Sequence, residues 1–216
     1  MVVVDEDISL ADLPQPRGVA GTLFVHKIAG AAAEGGASLE VVADRARRVV
    51  SKVASIGKSL DTCTVPGSPK ENRIPAGKAE LGLGIHGEPG VEQVDFGGAE
   101  VAIRIMLEKL GPHLNGSQRV ALLNNLGSTT PLEMSVLSLA LAQSGIAQHV
   151  IGPASMMTSL DMHGFSISVL DVDDDDLAAL QAPVAISAWP GVNQIVAPPV
   201  VPLPDGLTPV EPIPSE

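Results

Sequence analysis

The sequence predicts a single domain of the α/β (α+β) class, in which helices pack on a mixed β-sheet. Its 216 residues are 45% apolar, which is enough to bury one sizeable core. Segments with helical and with strand-like periodicity intermingle along the chain, as they do when helices cover a sheet. Two predicted strands, residues 149–152 and 165–172, are joined by a connection too short for a helix. A mixed sheet is therefore favoured over a purely parallel one, whose neighbouring strands need long crossovers.

Two helices are predicted at the start of the domain. Apolar residues recur at helical spacing in residues 18–33, and a pair of glycines ends the run. The second helix begins at Ser38 as N-cap and extends to Leu60, with Val53 among its inward-facing residues. The arginines on its other side are interpreted as a solvated face. Residues 62–76, rich in Pro, Gly, Ser and Asn, are predicted to form an irregular loop.

The alternation of strands and helices continues through the rest of the domain. The capping-box sequence from Thr130 to Glu133 marks the start of a helix, and the acidic run at residues 173–176 marks the start of a last one. The remaining predicted elements are strands at residues 80–85, 119–123, 149–152 and 165–172 and a helix at residues 99–110. We expect residues 18–182 to fold as one compact unit.

Both ends of the chain are predicted to lie outside this unit. Val2, Val3 and Val4 resemble the end of a buried strand that has lost its neighbours, which predicts an exposed apolar edge. Eight of the 18 prolines follow residue 189, which predicts a disordered tail. The predicted division is therefore a remnant of a preceding strand or linker at residues 1–16, a folded domain at residues 17–187 and a Pro-rich tail at residues 188–216.

The composition excludes several classes of function. A formal net charge of −12 and a pI near 4.7 would repel a nucleic-acid backbone or an anionic membrane surface, so neither is expected as a partner. Cys63 is the only cysteine, which excludes an internal disulfide and favours a reducing, cytoplasmic location. The N-terminus lacks the features of a signal peptide, and no apolar run is long enough to span a bilayer.

The sequence GIHGEPG at residues 84–90 is the most informative stretch. It follows a predicted strand, and the glycines near His86, Gly84 and Gly87, would let a small ligand reach the imidazole. A neutral imidazole is a nucleophile near pH 7 and can add to a ketone carbonyl as a hemiaminal, without metal or cofactor. A turn histidine that hydrogen-bonds its own loop explains the same pattern. Glu88 could orient the imidazole or lie exposed in the turn.

The other candidate sites are weaker. Four histidines are not paired at a metal-ligand spacing and are predicted to be structural or exposed: His26, His113, His149 and His163. Cys63 lacks an activating neighbour and is assigned to packing, and the acidic run at residues 173–176 lacks the glycine and glutamate of a calcium loop. Residues 124–127 and 155–159 could supply donors to a polar ligand, although turn formation explains them equally well. No Walker-type phosphate loop is present in the sequence.

Six segments in a fixed order carry a resemblance to a known family. They are RGVAGT, HKIAGAAAE, CTVP, LGLGIHGEPG, NNLG and TSLDM, at residues 17–22, 26–34, 63–66, 81–90, 124–127 and 158–162. Together they resemble the substrate-binding subunit of dihydroxyacetone (glycerone) kinases, and GIHGEPG is the most specific of them. The resemblance extends from Val2 to about Pro190 and corresponds to the C-terminal half of that subunit.

The resemblance implies an activity and its partners. In that family the histidine matching His86 holds the ketone covalently as a hemiaminal while a terminal hydroxyl is phosphorylated. This implies His86 as the catalytic residue, with Gly84 and Gly87 beside the substrate, which would be dihydroxyacetone or a related short ketose. It also implies a homodimer and a phosphate donor on a partner, either ATP-Mg on another subunit or domain or a phosphorylated protein of the phosphotransferase system. The chain itself is expected to bind no cofactor and no metal.

One departure from the family bears on function. The family's glycine-rich GGGSGHEP-like segment, whose domain supplies further substrate contacts, does not occur in this sequence. The leading interpretation is therefore the ketone-holding part of a glycerone kinase, inactive without the missing domain and the donor subunit. A non-catalytic dihydroxyacetone-sensing or regulatory relative and a truncated remnant without function are the alternatives.

Overall fold

The protein forms a sheet between two layers of helices, in a computed structural model that describes residues 1–8, 18–85 and 88–197. In chain order the elements are α1 (Thr22–Glu34), α2 (Leu39–Val50), β1 (Val53–Ser59), β2 (Lys78–Leu81), β3 (Glu92–Asp95), α3 (Gly98–Leu110), β4 (Arg119–Asn125), α4 (Pro131–Gln143), β5 (His149–Ala154), β6 (Gly164–Asp171), α5 (Asp174–Gln181) and β7 (Val192–Gln194). The strand order is β3-β2-β1-β6-β4-β5-β7. Among the strands of the described residues, β4 and β5 alone pair in parallel, which confirms the predicted mixed sheet.

Each face of the sheet is covered by its own set of helices. Helices α3 and α4 pack on one face, and α1, α2 and α5 pack on the other. Because side chains alternate along a strand, β4 sends Ala121 and Leu123 to the first face and Val120 and Leu122 to the second. All four are fully buried. The central strands β1, β4 and β6 are therefore covered on both faces.

The prediction that the second helix extends to Leu60 is wrong. Helix α2 ends at Val50, and the following segment is β1, which is buried along its whole length and pairs with β6 at every residue. Val53, the first residue of β1, continues the apolar spacing of α2 in the sequence, so the helical pattern appears to run on beyond Val50. Only the pairing with β6, more than a hundred residues away, distinguishes the two structures. Strand β3 was not predicted at all, and β2 begins and ends earlier than expected.

The arginines of α2 are not simply a solvated face. Arg48 donates to both carboxylate oxygens of Asp176, at 2.5 and 2.8 Å, and to Asp173 at 2.7 Å. Asp173 is the N-cap of α5 and forms a capping box with Asp176, whose side chain is only 1% exposed. The acidic run therefore opens a helix as predicted, and Arg48 neutralises its buried carboxylate in a bidentate pair.

The N-terminal segment is packed rather than exposed. Val2 and Val4 are half-buried against the core on the α1 and α2 side, whereas Val3 is exposed, so the prediction of an exposed apolar edge is wrong for Val2 and Val4. The Ser55 N–H donates to the Glu6 carbonyl at 2.8 Å, and Asp7 forms a parallel bridge with Ser55. Residues 9–17 lie outside the described residues, so the predicted domain boundary between residues 16 and 17 stays a prediction.

The prediction of a disordered tail from residue 188 is wrong for the residues that the structure describes there. Strand β7 pairs antiparallel with β5, and Trp189 packs against the core on the α1 side. The free edge of β5 supplies the hydrogen-bonding partners that a Pro-rich segment cannot provide for itself. Residues 198–216 lie outside the described residues. None of the helices in the described ranges has the length and apolar character needed to cross a bilayer.

Glu6 is a buried carboxyl group that ties the N-terminal segment to the start of α1. Its Oε1 accepts hydrogen bonds from the Val19 N–H at 2.8 Å and the Thr22 N–H at 3.1 Å. A Cβ added at Gly21 would lie 2.7 Å from the Glu6 Cγ, so this close approach requires glycine. Burial raises the pKa of Glu6 to about 7, even though the backbone hydrogen bonds act in the opposite direction.

We expect this raised pKa to make the fold less stable as pH rises. Below the ordinary pKa of 4.5, Glu6 is protonated in both the folded and the unfolded chain. Between pH 4.5 and about pH 7 only the unfolded chain loses this proton, which favours unfolding. Above about pH 7 the folded chain loses the proton as well. The loss between pH 4.5 and pH 8 should be about 3 kcal/mol. Glu6→Gln should remove this part of the pH dependence in urea unfolding, whereas the exposed Glu34→Gln should keep it. An unchanged pH profile in Glu6→Gln would contradict the assignment.

Candidate functional site

The candidate site is the loop between β2 and β3 that carries the GIHGEPG sequence. His86 and Gly87 lie outside the described residues, so the site is defined by the residues on either side of them. The Gly84 N–H donates to the Glu88 carbonyl at 3.3 Å, which brings the two flanks together. At its base, the Gly82 N–H donates to the Gly57 carbonyl of β1 at 2.7 Å. The flanks of His86 are therefore joined to each other and to the central part of the sheet.

A second set of contacts holds the far flank of this loop. The Val91 N–H donates to the Leu81 carbonyl at 2.9 Å, and the Gly90 N–H donates to Glu80 Oε2 at 3.1 Å. The guanidinium of Arg73 pairs with the same carboxylate at 3.0 Å, and these hydrogen bonds lower the pKa of Glu80 despite its burial. Glu80 thus stays ionised and links the candidate loop to the segment before β2.

The candidate loop is also fixed by the connection between β5 and β6. The hydroxyl of Ser159, which is 2% exposed, donates to the Ile85 carbonyl at 2.5 Å. The Ser159 N–H in turn donates to the Leu126 carbonyl at 2.7 Å. One serine therefore connects the residue before His86 to the end of β4. Since the bonded residues are 74 positions apart, no local sequence pattern identifies this contact.

Apolar packing closes the space beneath the candidate loop. A small cluster is formed by buried Cys63, Leu83, Leu126 and Met162, with Ile85 packed against it. The predicted packing role of Cys63 is confirmed, and the thiol is buried. Gly127 approaches the 155–163 connection so closely that an added Cβ would collide with the Leu160 carbonyl. Through Ile85, this cluster supports the candidate loop by packing, and precise positioning of a reacting group requires such support.

The polar residues at the end of β4 are used by the fold rather than left for a ligand. Asn124 is fully buried, and its amide donates to the Met157 carbonyl at 2.7 Å and accepts from the N–H groups of Met156 and Met157. Asn125 accepts from the Gly127 N–H at 2.9 Å. Of the two explanations for residues 124–127 and 155–159, the structural one therefore accounts for the Asn124, Asn125 and Ser159 side chains.

Asp161 holds the loop at residues 62–76. Its carboxylate accepts from the N–H and the hydroxyl of Thr64 at 2.5 and 2.6 Å, and Lys70 lies 3.7 Å away. These bonds, led by the Thr64 hydroxyl, lower the pKa of Asp161. Asp161 belongs to the TSLDM segment and Thr64 to the CTVP segment. Two segments of the family resemblance are therefore in direct contact.

The other four histidines lie outside the GIHGEPG segment. His26 is exposed on α1, His113 is exposed after α3, and His149 begins β5. His163 lies before β6, and its Nε2 is 2.9 Å from Glu133 Oε1. The expectation that these four are structural or exposed agrees with their positions. Within the described ranges, no group of three or more His, Cys, Asp or Glu side chains is arranged to hold a metal ion.

We expect Ser159→Ala to loosen the candidate loop without unfolding the protein. The change removes one buried hydrogen bond worth about 1 kcal/mol, which corresponds to roughly fivefold faster local opening. Hydrogen exchange of peptides covering residues 82–91 measures this effect. Ser155→Ala, an exposed serine in the same connection, is the matched control and should leave exchange unchanged. Equal exchange in both variants would show that Ser159 does not restrain the loop.

Comparison with known proteins identifies the family. The Dak1 domain profile matches residues 1–188. The dihydroxyacetone kinase of Citrobacter freundii is 39% identical over 198 residues, which is 88% of this chain but 35% of that protein. Its crystal structure superposes on this chain with a TM-score of 0.89 at 37% identity. The superposition covers 98% of this chain and 40% of the C. freundii chain. The dihydroxyacetone-binding subunit of the PEP-dependent dihydroxyacetone kinase of Escherichia coli K12 is 34% identical over 85% of this chain and 61% of its own length.

A third match is a regulatory protein rather than a kinase. The dihydroxyacetone kinase operon co-activator Dha-DhaQ superposes with a TM-score of 0.80 at 28% identity, over 88% of this chain and 62% of that one. The chain thus spans about a third of the C. freundii enzyme and less than two thirds of the E. coli subunit and of the co-activator. The match over residues 1–188, together with the solved structures, shows that this chain belongs to the Dak1 domain family.

Proposed function

We propose that this chain is the ketone-holding part of a dihydroxyacetone kinase, with His86 as its nucleophile. The observation that supports this most is the anchoring of the loop on both sides of His86, by the Gly84–Glu88 hydrogen bond and the Ser159–Ile85 hydrogen bond. Such anchoring suits a residue that must meet its substrate in one orientation. The roles of His86, Gly84 and Gly87 are proposals that rest on the sequence motif and the family.

The proposed step is addition without a cofactor. A lone pair on an imidazole nitrogen of His86 forms a bond to the carbonyl carbon of the ketone, and the π-electron pair of the carbonyl moves to its oxygen. That oxygen takes a proton, and the other ring nitrogen gives one up, so the product is a neutral hemiaminal. Glycerol has no carbonyl and cannot react in this way. Selection between a ketone and an alcohol would therefore depend on covalent chemistry rather than on shape.

Phosphoryl transfer is proposed to need groups outside this chain. The transfer requires cations around the phosphate and a base near the attacking hydroxyl. The E. coli relative is a dihydroxyacetone-binding subunit of a PEP-dependent kinase, and the longer C. freundii kinase has a crystal structure in complex with AMP-PNP and Mg2+. A PEP-dependent donor and a nucleotide donor are therefore both compatible with this family. No step on this chain is assigned to a metal. The homodimer and the cytoplasmic location stay predictions.

A sensing function is the second candidate, and one observation favours it. The chain superposes on an operon co-activator over 88% of its length, at a TM-score of 0.80. In that case His86 would still capture the ketone, and the adduct would serve as a signal without transfer of phosphate. The two candidates share the first chemical step and differ only in whether turnover follows.

We expect dihydroxyacetone to form an adduct with the chain at His86. With ketone labelled at its central carbon, the carbonyl carbon resonance should be replaced by a tetrahedral one when protein is in excess, and glycerol should cause no change. His86→Ala should abolish the new resonance, whereas His113→Ala, an exposed histidine after α3, should retain it. A tetrahedral signal that persists in folded His86→Ala would remove His86 from the proposal.

We expect the isolated chain to show no kinase activity with dihydroxyacetone and Mg-ATP. Addition of a domain bearing a GGGSGHEP-like segment, together with a phosphate-donor subunit, should restore turnover in a coupled assay, because those parts supply the missing base and cations. Turnover by the chain alone would contradict the proposal that phosphoryl transfer needs groups outside this chain. An adduct at His86 with no turnover after both additions would favour the sensing function.

A further inference from the structure

A cavity of about 310 Å³ lies between the helices α3 and α4 and the ends of β1 and β6. Its walls are mostly apolar, and the exposed side chains among them lie at its mouth: Phe96, Leu132 and Val136. The volume is at the lower end of the range of about 300–1,000 Å³ found for small-molecule sites. Among the described residues, none of the candidate loop at residues 82–91 lines it.

Lys58 is the one cationic lysine or arginine among the described lining residues of this cavity. Ala54 and Ile56 of β1 face the α3 and α4 layer, and by strand alternation Lys58 points the same way. The residue is 2% exposed, and its Nζ has no hydrogen-bond acceptor in the described part of the chain. The ring of Phe96, centred 5.9 Å from Nζ, is the aromatic contact of the ammonium.

A buried ammonium group without an acceptor is energetically unfavourable. Burial lowers the pKa of Lys58, since desolvation penalises the charged form. An aromatic ring offsets only part of that cost. An anion brought to Nζ would supply both a countercharge and a hydrogen-bond acceptor in a region of low dielectric. The described residues of the protein therefore provide no hydrogen-bond acceptor for the Lys58 ammonium.

The other polar groups in the cavity already have partners. Glu133 accepts from the N–H and the hydroxyl of Thr130 at 2.8 and 2.7 Å and contacts His163 at 2.9 Å. The Ser59 hydroxyl donates to the carbonyls of Asp61 and His163, at 2.5 and 2.9 Å. The Thr129 hydroxyl donates to the Gly164 carbonyl at 2.7 Å. Lys58 is consequently left as the principal free donor, which suits one negative charge rather than a multiply charged phosphate.

We propose that this cavity binds a small monoanion with an apolar tail, namely an alkyl carboxylate. The carboxylate accepts a charge-assisted hydrogen bond from Lys58 Nζ, and the tail lies against Phe96, Leu132 and Val136 at the mouth. The apolar walls select the tail by burying it, and the lone buried cation selects the head group. The inference does not depend on the proposed kinase function, because it uses neither His86 nor its loop.

Titration calorimetry of the whole chain with octanoate and with 1-octanol tests the proposal. We expect saturable binding of octanoate and at least tenfold weaker binding of 1-octanol, since the alcohol has the same tail without the charge. Lys58→Met should weaken octanoate at least tenfold and leave 1-octanol nearly unchanged. Its apolar side chain suits the buried position, so the variant should fold. Lys109→Met, an exposed lysine paired with Glu92 away from the cavity, is the matched control and should bind octanoate normally.

A second variant tests the location of the tail. Val136→Trp fills the mouth of the cavity without touching the charge, and it should weaken both ligands while thermal melting shows an intact fold. Equal affinity for octanoate and 1-octanol would show an apolar recess without selection for an anion and would overturn the proposal. Absence of saturable octanoate binding, or undiminished binding in Lys58→Met, would overturn it as well.

Discussion

The antiparallel pairing of β6 with β1 on one side and with β4 on the other is the constraint on which the rest of the structure depends. Each pairing runs over seven residue pairs, and β6 is buried at all eight of its positions. Because β5 lies on the far side of β4, the connection from β5 to β6 must cross the end of β4. That crossing places Ser159 against Leu126 and beneath Ile85. The position of the candidate loop thus follows from the strand order.

Buried polar groups in this protein behave in two distinct ways. Asn124 and Ser159 have their hydrogen-bonding capacity used by backbone groups of other segments, and they fix the loops around the end of β4. Lys58 has no acceptor for its Nζ among the described residues, and one oxygen of Glu6 has no donor there. Buried polar groups whose hydrogen bonds are all made help to specify the structure. Buried polar groups without a partner lower the stability, and they change their protonation or attract a ligand. The first kind supports the proposed ketone site, and the second kind motivates the anion cavity.

The features of the candidate site differ in how far they can be predicted from sequence. The GIHGEPG motif, the position of His86 after a strand and the packing of Cys63 follow from local chemistry and from the family resemblance. The hydrogen bond from Ser159 to Ile85 and the burial of Lys58 do not, because each depends on residues distant along the chain. Lysine is usually exposed, so its presence in a strand gives no indication of a buried charge.

The sequence by itself determined the class of the fold, the helices with strong capping signals and the family. The capping box at Thr130 fixes where α4 begins, because a cap and its partner are only three residues apart, and the acidic run at residues 173–176 marks the start of α5. Tertiary structure decided that residues 53–59 form a strand, that residues 192–194 pair with β5 and that Val2 and Val4 are covered. Strand pairing and burial join residues far apart in the chain, so their energies are absent from any local pattern.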